Sequence, residues 1–115
     1  MEELRLAFLN SWRGLRHAAR TERAVRQELV LLALGVPAAL MLGSSLWVRT
    51  ALIASLLAML AVEFLNTAIE KLCDRVCPTD DPAIGTVKDL ASAGAFLSQT
   101  IAALVWIAAL IERLA

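Results

Sequence analysis

Three long apolar stretches constrain this chain more than anything else in it. Crossing the hydrocarbon of a bilayer as a helix takes about 20 apolar residues, and three segments reach that length. The first is LVLLALGVPAALMLGSSLW, residues 29–47, with Pro37 inside it. The second covers 50–72, beginning ALIASLLAMLAV, and the third is LASAGAFLSQTIAALVWIAALI near 90–111. A proline is tolerated in such a helix where neighbours re-satisfy the freed carbonyl. With 59% hydrophobic residues in 115, the chain exceeds the roughly 45–50% of a soluble domain. The expected fold is an all-α membrane protein, one domain over 1–115, with three transmembrane helices behind an N-terminal surface helix over 1–28. That leading segment alternates apolar and basic positions at helical spacing. Leu4, Phe8, Trp12, Leu15 and Ala19 can share one face, as in a helix lying in the membrane interface. Gly14 is the expected point of bending.

The connections follow from composition. Trp47-Val48-Arg49 predicts a tight hairpin between the first two spans. CPTDDPAIGTVKD predicts a polar loop of about a dozen residues before the third. Orientation follows from Lys and Arg near the spans. Arg5, Arg13, Arg16, Arg20, Arg23 and Arg26 precede the first span, and Lys71, Arg75 and Lys88 flank the second loop. Only Arg49 and Arg113 lie on the other side. This places the N-terminus and second loop in the cytoplasm and the C-terminus outside, in a multi-pass protein of the cytoplasmic membrane. Net charge is zero, so no basic excess exists to neutralise the phosphates of a nucleic acid. Cys73 and Cys77 lack a second ligand pair for zinc and cannot make a disulfide framework. They read as packing residues, and His17 as an interfacial one.

One feature works against burial in lipid. Glu63, Asn66, Glu70 and Asp74 are spaced 3, 4 and 4 along the second span, with Thr67 beside them. At about 100° per residue they form one narrow stripe. A carboxylate at the bilayer centre costs about 2.5–3.5 kcal/mol by insertion scales, which marks it as functional by default. The bland alternative is a polar seam joining subunits through interhelical hydrogen bonds. Two carboxylates near a water interface can hold Mg²⁺ together with substrate phosphates. A deeper, partly desolvated one can act as base on a lipid hydroxyl. Neither GxxxxGK[ST] nor GxGxxG occurs, so a nucleotide would need a membrane-built site rather than a P-loop or kinase cradle.

The stretch EFLNTAIEKLCD, Glu63 to Asp74, closely resembles the signature of the prokaryotic diacylglycerol kinase family: Glu, two residues, Asn, Ser/Thr, a small residue, two positions, Glu, three residues, Asp. SWRGLRHA resembles that family's amphipathic segment, ERAVRQEL the approach to its first span, and VKDLASAGAF the start of its third. The resemblance implies a homotrimeric inner-membrane enzyme that transfers the γ-phosphate of MgATP to diacylglycerol, giving phosphatidic acid. Carried over by residue, it implies Glu63 as catalytic base and Asn66 as the group that positions the reactants. Glu22 and Glu70 become the pair that holds Mg²⁺ with ATP. Asn10, Thr79, Asp80, Asp81, Lys88 and Asp89 fall on the nucleotide side, with Glu22 and Glu70. Ser11, Arg26, Gln27, Glu28 and Ser92 fall with Glu63 on the lipid side, and Thr67 and Asp74 complete the stripe. Without the resemblance, Glu22 reads as an ordinary surface salt bridge. Two other readings stay open: a kinase of the same family acting on undecaprenol, and a small oligomeric transporter or channel with the acids lining an ion path.

Overall fold

The computed structural model describes all residues, 1–115. Four helices follow one another: α1 (Glu2–Thr21), α2 (Arg23–Leu42), α3 (Leu46–Val76) and α4 (Pro82–Leu114). The last three are long and apolar enough to cross a membrane. α3 packs chiefly against α4 and then α2, while α1 lies mainly against α2.

The helix ends depart from the sequence expectations in three places, each with a local cause. The leading helix does not continue to residue 28 or break at Gly14, which stays helical with open space where a Cβ would stand. It stops at Glu22, whose backbone is extended at φ −114°, ψ 115°. The Glu22 N–H donates to Ala18 O at 2.8 Å and closes α1, and its carbonyl accepts from Arg26 N at 3.1 Å and opens α2. The carbonyls a helix end leaves over need partners. Arg26 supplies them, its guanidinium donating to Arg20 O at 3.1 Å and Ala19 O at 3.4 Å.

The first hairpin turns at Gly43-Ser44-Ser45, not at 47–49, so Leu46 and Trp47 belong to α3 rather than to the first span. Ser45 is the N-cap, its hydroxyl accepting from Val48 N at 3.2 Å, as short polar side chains at that position do. A Cβ on Gly43 would collide with the Arg49 side chain and crowd Ala39 O. Arg49 then donates from Nε to Gly43 O at 3.2 Å and ties the turn down. The second connection is shorter than composition implies: only residues 77–81 are non-helical. Pro82 stands in the first helical turn, where its missing N–H costs nothing, and Asp81 caps by accepting from Ala83 N at 2.9 Å and Ile84 N at 3.2 Å.

The interior consists of small contacts rather than a large core. Ala18, Val25 and Leu60 meet where α1, α2 and α3 converge, and Ala39, Leu52 and Ala109 meet at the opposite end. Between them Leu56 and Met59 pack on Ala102. The indole of Trp106 staples α4 to α3, donating to Ser55 Oγ at 3.2 Å and Leu52 O at 3.3 Å. Only 16 of 115 residues are buried, whereas Leu34, Met41, Leu65, Phe96 and Leu104 are exposed. Apolar exposure on this scale suits hydrocarbon, not water. At about 1.5 Å per residue the 31 residues of α3 extend about 46 Å, well beyond a hydrocarbon core of about 30 Å. Most of the charged residues of α3 lie at its Glu63–Val76 end.

Candidate active site

The break at Glu22 creates the site. It turns the chain so that α1 meets α2 against the acidic half of α3. There Glu22, one-quarter exposed, forms an ion pair of 2.6 Å with Lys71 of α3. Glu70 precedes Lys71 on α3, close enough that both Glu70 and Glu22 press their charge on Glu63. Glu63 is buried at 8% exposure, with Thr67 beside its carboxylate one turn along. Glu28, near the start of α2, is also buried and repels Glu63 across the helix contact. The break at Glu22, α2 and α3 thus bring Glu22, Glu28, Glu63 and Glu70 to one end of the bundle, with Lys71 paired to Glu22 there.

Two buried side-chain oxygens in the chain have no hydrogen-bond partner, Glu28 Oε1 and Asn66 Oδ1. Both belong to this end of the bundle. Folded proteins pair more than about 90% of such atoms, because an unpaired buried acceptor costs about 1–3 kcal/mol. Beside them α1 and α3 enclose an open apolar hollow of about 400 Å³, lined by Ser11, Gly14, Leu15, Leu57, Leu60 and Phe64 among others. A second, polar hollow of about 230 Å³ opens at the 77–81 connection. Asp74, Thr79, Asp80, Asp81 and Lys88 line it, and Lys88 pairs with Asp74 at 2.5 Å. The two regions adjoin, since Asp74 of the second lies one turn beyond Glu70 of the first on α3.

The residues singled out in the sequence therefore divide. Glu22, Glu28, Glu63, Asn66, Thr67 and Glu70 come together at the junction, and Ser11 lines the apolar hollow. Thr79, Asp80, Asp81, Asp74 and Lys88 come together at the connection. Asn10 bonds Arg13 on the same helix face, and Arg26 is committed to the end of α1. The exposed side chains of Gln27, Asp89 and Ser92 make no ion pair or side-chain hydrogen bond. Sequence reasoning missed Lys71, which had served only as a positive charge for orientation. It lies about 100° away from the stripe on the helical wheel, and nothing local pairs it with a residue 49 positions earlier.

The donor set fits a hard divalent cation. Mg²⁺ takes oxygen ligands, commonly one or two carboxylates completed by water and substrate phosphates, and Glu22 and Glu70 supply two such groups. No three acids converge closely enough to form a protein cage, so the remaining ligands would come with a phosphate or with water.

Comparison with known proteins identifies the family. The family model for prokaryotic diacylglycerol kinase matches residues 9–110. The diacylglycerol kinase of Escherichia coli K12 is 38% identical over 96 residues, covering 84% of this chain and 79% of that protein. The diacylglycerol kinase of Pseudomonas aeruginosa is 38% identical over 93 residues, 81% of this chain and 76% of that protein. That of Haemophilus influenzae is 33% identical over 96 residues, 84% and 81%. The match spans all four helices and both residue clusters, and the chain belongs to the prokaryotic diacylglycerol kinase family.

Proposed function

We propose that this chain transfers the γ-phosphate of ATP to the free hydroxyl of diacylglycerol, giving phosphatidic acid, at the cytoplasmic face of a bacterial inner membrane. The observation that carries the reading is a buried Glu63 at the inner end of an acidic stripe, flanked by buried unpartnered acceptors on Glu28 and Asn66. Stability alone would not retain such a cluster. A substrate hydroxyl is the kind of donor those acceptors lack.

In this reading the lipid enters through the apolar hollow by Ser11 and Phe64, with its hydroxyl beside Glu63. Glu63 takes the hydroxyl proton as the oxygen attacks the γ-phosphorus. An O–P bond forms, the bond from the γ-phosphorus to the bridging oxygen breaks, and ADP leaves with the electron pair. Asn66 and Glu28 orient the hydroxyl, and Thr67 steadies the Glu63 carboxylate. Lys88, with Asp89 and the 79–81 connection, holds the nucleotide from the other side. Glu22 and Glu70 would hold a magnesium ion, which would supply charge neutralisation for the phosphates. Phosphoryl transfer asks mainly for positioning and charge neutralisation, which a small helical protein can provide. The N-terminus and the second connection face the cytoplasm, α1 lies in the interface, and the C-terminus is outside. In this reading the working unit is a homotrimer, as the resemblance to the family implies.

The test is Mg²⁺-dependent ATP consumption by purified protein in lipid or detergent, with diacylglycerol, with undecaprenol and with no lipid. Turnover only with diacylglycerol is expected. Preference for undecaprenol keeps the chemistry and changes the acceptor. No turnover with either alcohol, in assembled protein, returns the stripe to an ion path or a subunit seam.

A further inference from the structure

We propose that Lys71 is a built-in competitor for the cation site: its ammonium is the resting counter-ion of Glu22 and must release that carboxylate before a divalent cation can take it. The inference rests on the reading of Glu22 and Glu70 as ligands, and extends it to a residue outside that set. The geometry is specific. Lys71 Nζ stands 2.6 Å from Glu22 Oε1, joining the α1–α2 break to α3. Glu70 and Asp74, on the same helix, also favour the charged form of this ammonium. The Lys71 side chain is 55% exposed and Glu22 25%, so the lysine can swing into water while the acid stays in place. Glu22 makes no other ion pair in the chain, and the cation one helical turn along, Arg26, is bound to the carbonyls closing α1. Arg75, one turn beyond Lys71, makes no ion pair and provides an internal control.

An exposed ion pair is a weak lock, which suits a contact meant to open. Lys71 keeps Glu22 neutralised and the junction closed when no cation is bound, and yields when one arrives with phosphate.

The measurement is Mn²⁺ binding to the full-length protein in detergent, with Mn²⁺ alone as probe, read from the six-line electron paramagnetic resonance signal of the free ion. Lys71→Met should bind Mn²⁺ about two- to fivefold tighter than wild type, the range expected for losing one exposed ion pair. Arg75→Gln should change it less. The gain should vanish in Lys71→Met combined with Glu22→Gln. Lys71→Gln repeats the test should the methionine variant fail to assemble. Unchanged or weaker binding in the Lys71 variants, with wild-type binding still dependent on Glu22, overturns this inference alone. A gain that persists without Glu22, or is matched by Arg75→Gln, overturns it too, as a general effect of charge. Wild-type binding indifferent to both Glu22→Gln and Glu70→Gln overturns the ligand reading and this inference together.

Discussion

The two ends of the helix bundle treat their polar groups in opposite ways. At the hairpin end, Ser45 caps α3, Arg49 satisfies Gly43 O, and Ser44 donates to Glu112 at 2.8 Å. A little further in, Trp106 gives its one N–H to Ser55 and Leu52 O. Every one of these contacts is local bookkeeping of donors and acceptors within α2, α3 and α4. At the acidic end, Glu28 and Asn66 keep buried oxygens without partners, Glu63 is buried among other carboxylates, and one lysine offsets them. Satisfied groups fix a structure, and unsatisfied ones await something else. The contrast separates the residues that hold the helices from those proposed to act on a substrate.

The largest test of that contrast is Glu63→Gln. Losing a general base lowers turnover by about 10²–10⁴-fold, and the variant should still assemble by size-exclusion chromatography with unchanged thermal stability. Next comes Glu28→Leu, where stability and turnover should respond with opposite signs. Removing an unpartnered buried acceptor should raise stability by about 1 kcal/mol, read as a higher unfolding midpoint in detergent. Turnover should fall by about tenfold, a barrier increase of about 1.4 kcal/mol. At the satisfied end Trp106→Phe should cost about 0.6–1.7 kcal/mol, the range for interhelical hydrogen bonds in membrane proteins, with turnover per folded protein retained. The smallest effect belongs to Ser45→Ala, about 0.5–1 kcal/mol for a lost N-cap, again without loss of activity. A Trp106→Phe variant that abolished turnover while staying folded would break the division between the ends.

Much of this was legible along the chain because it depends on short-range periodicity. The stripe of Glu63, Asn66, Thr67, Glu70 and Asp74 needs only helical spacing, and α3 carries it as expected. The helix ends were less legible. Gly43 and Ser45 looked like part of a continuous apolar run, yet the absence of a Cβ at one and a capping hydroxyl at the other place the turn there. Pro82 looked like a loop residue, but after a capping Asp81 it starts a helix. Both errors have one cause: composition does not say whether a turn-forming residue ends an element or begins one.

Glu22 and Lys71 mark the boundary more sharply. By itself the sequence determined the three apolar helices and the acidic face of one of them, because lipid solvation and helical periodicity act on each segment separately. Only the tertiary structure decided that α1 ends at Glu22, that this break swings a carboxylate onto Lys71 of α3, and that Glu28 and Glu63 are both buried. Those arrangements involve residues 35 to 49 positions apart. They exist because three helices converge on Ala18, Val25 and Leu60, and the distance between two charges on different helices is set by that packing.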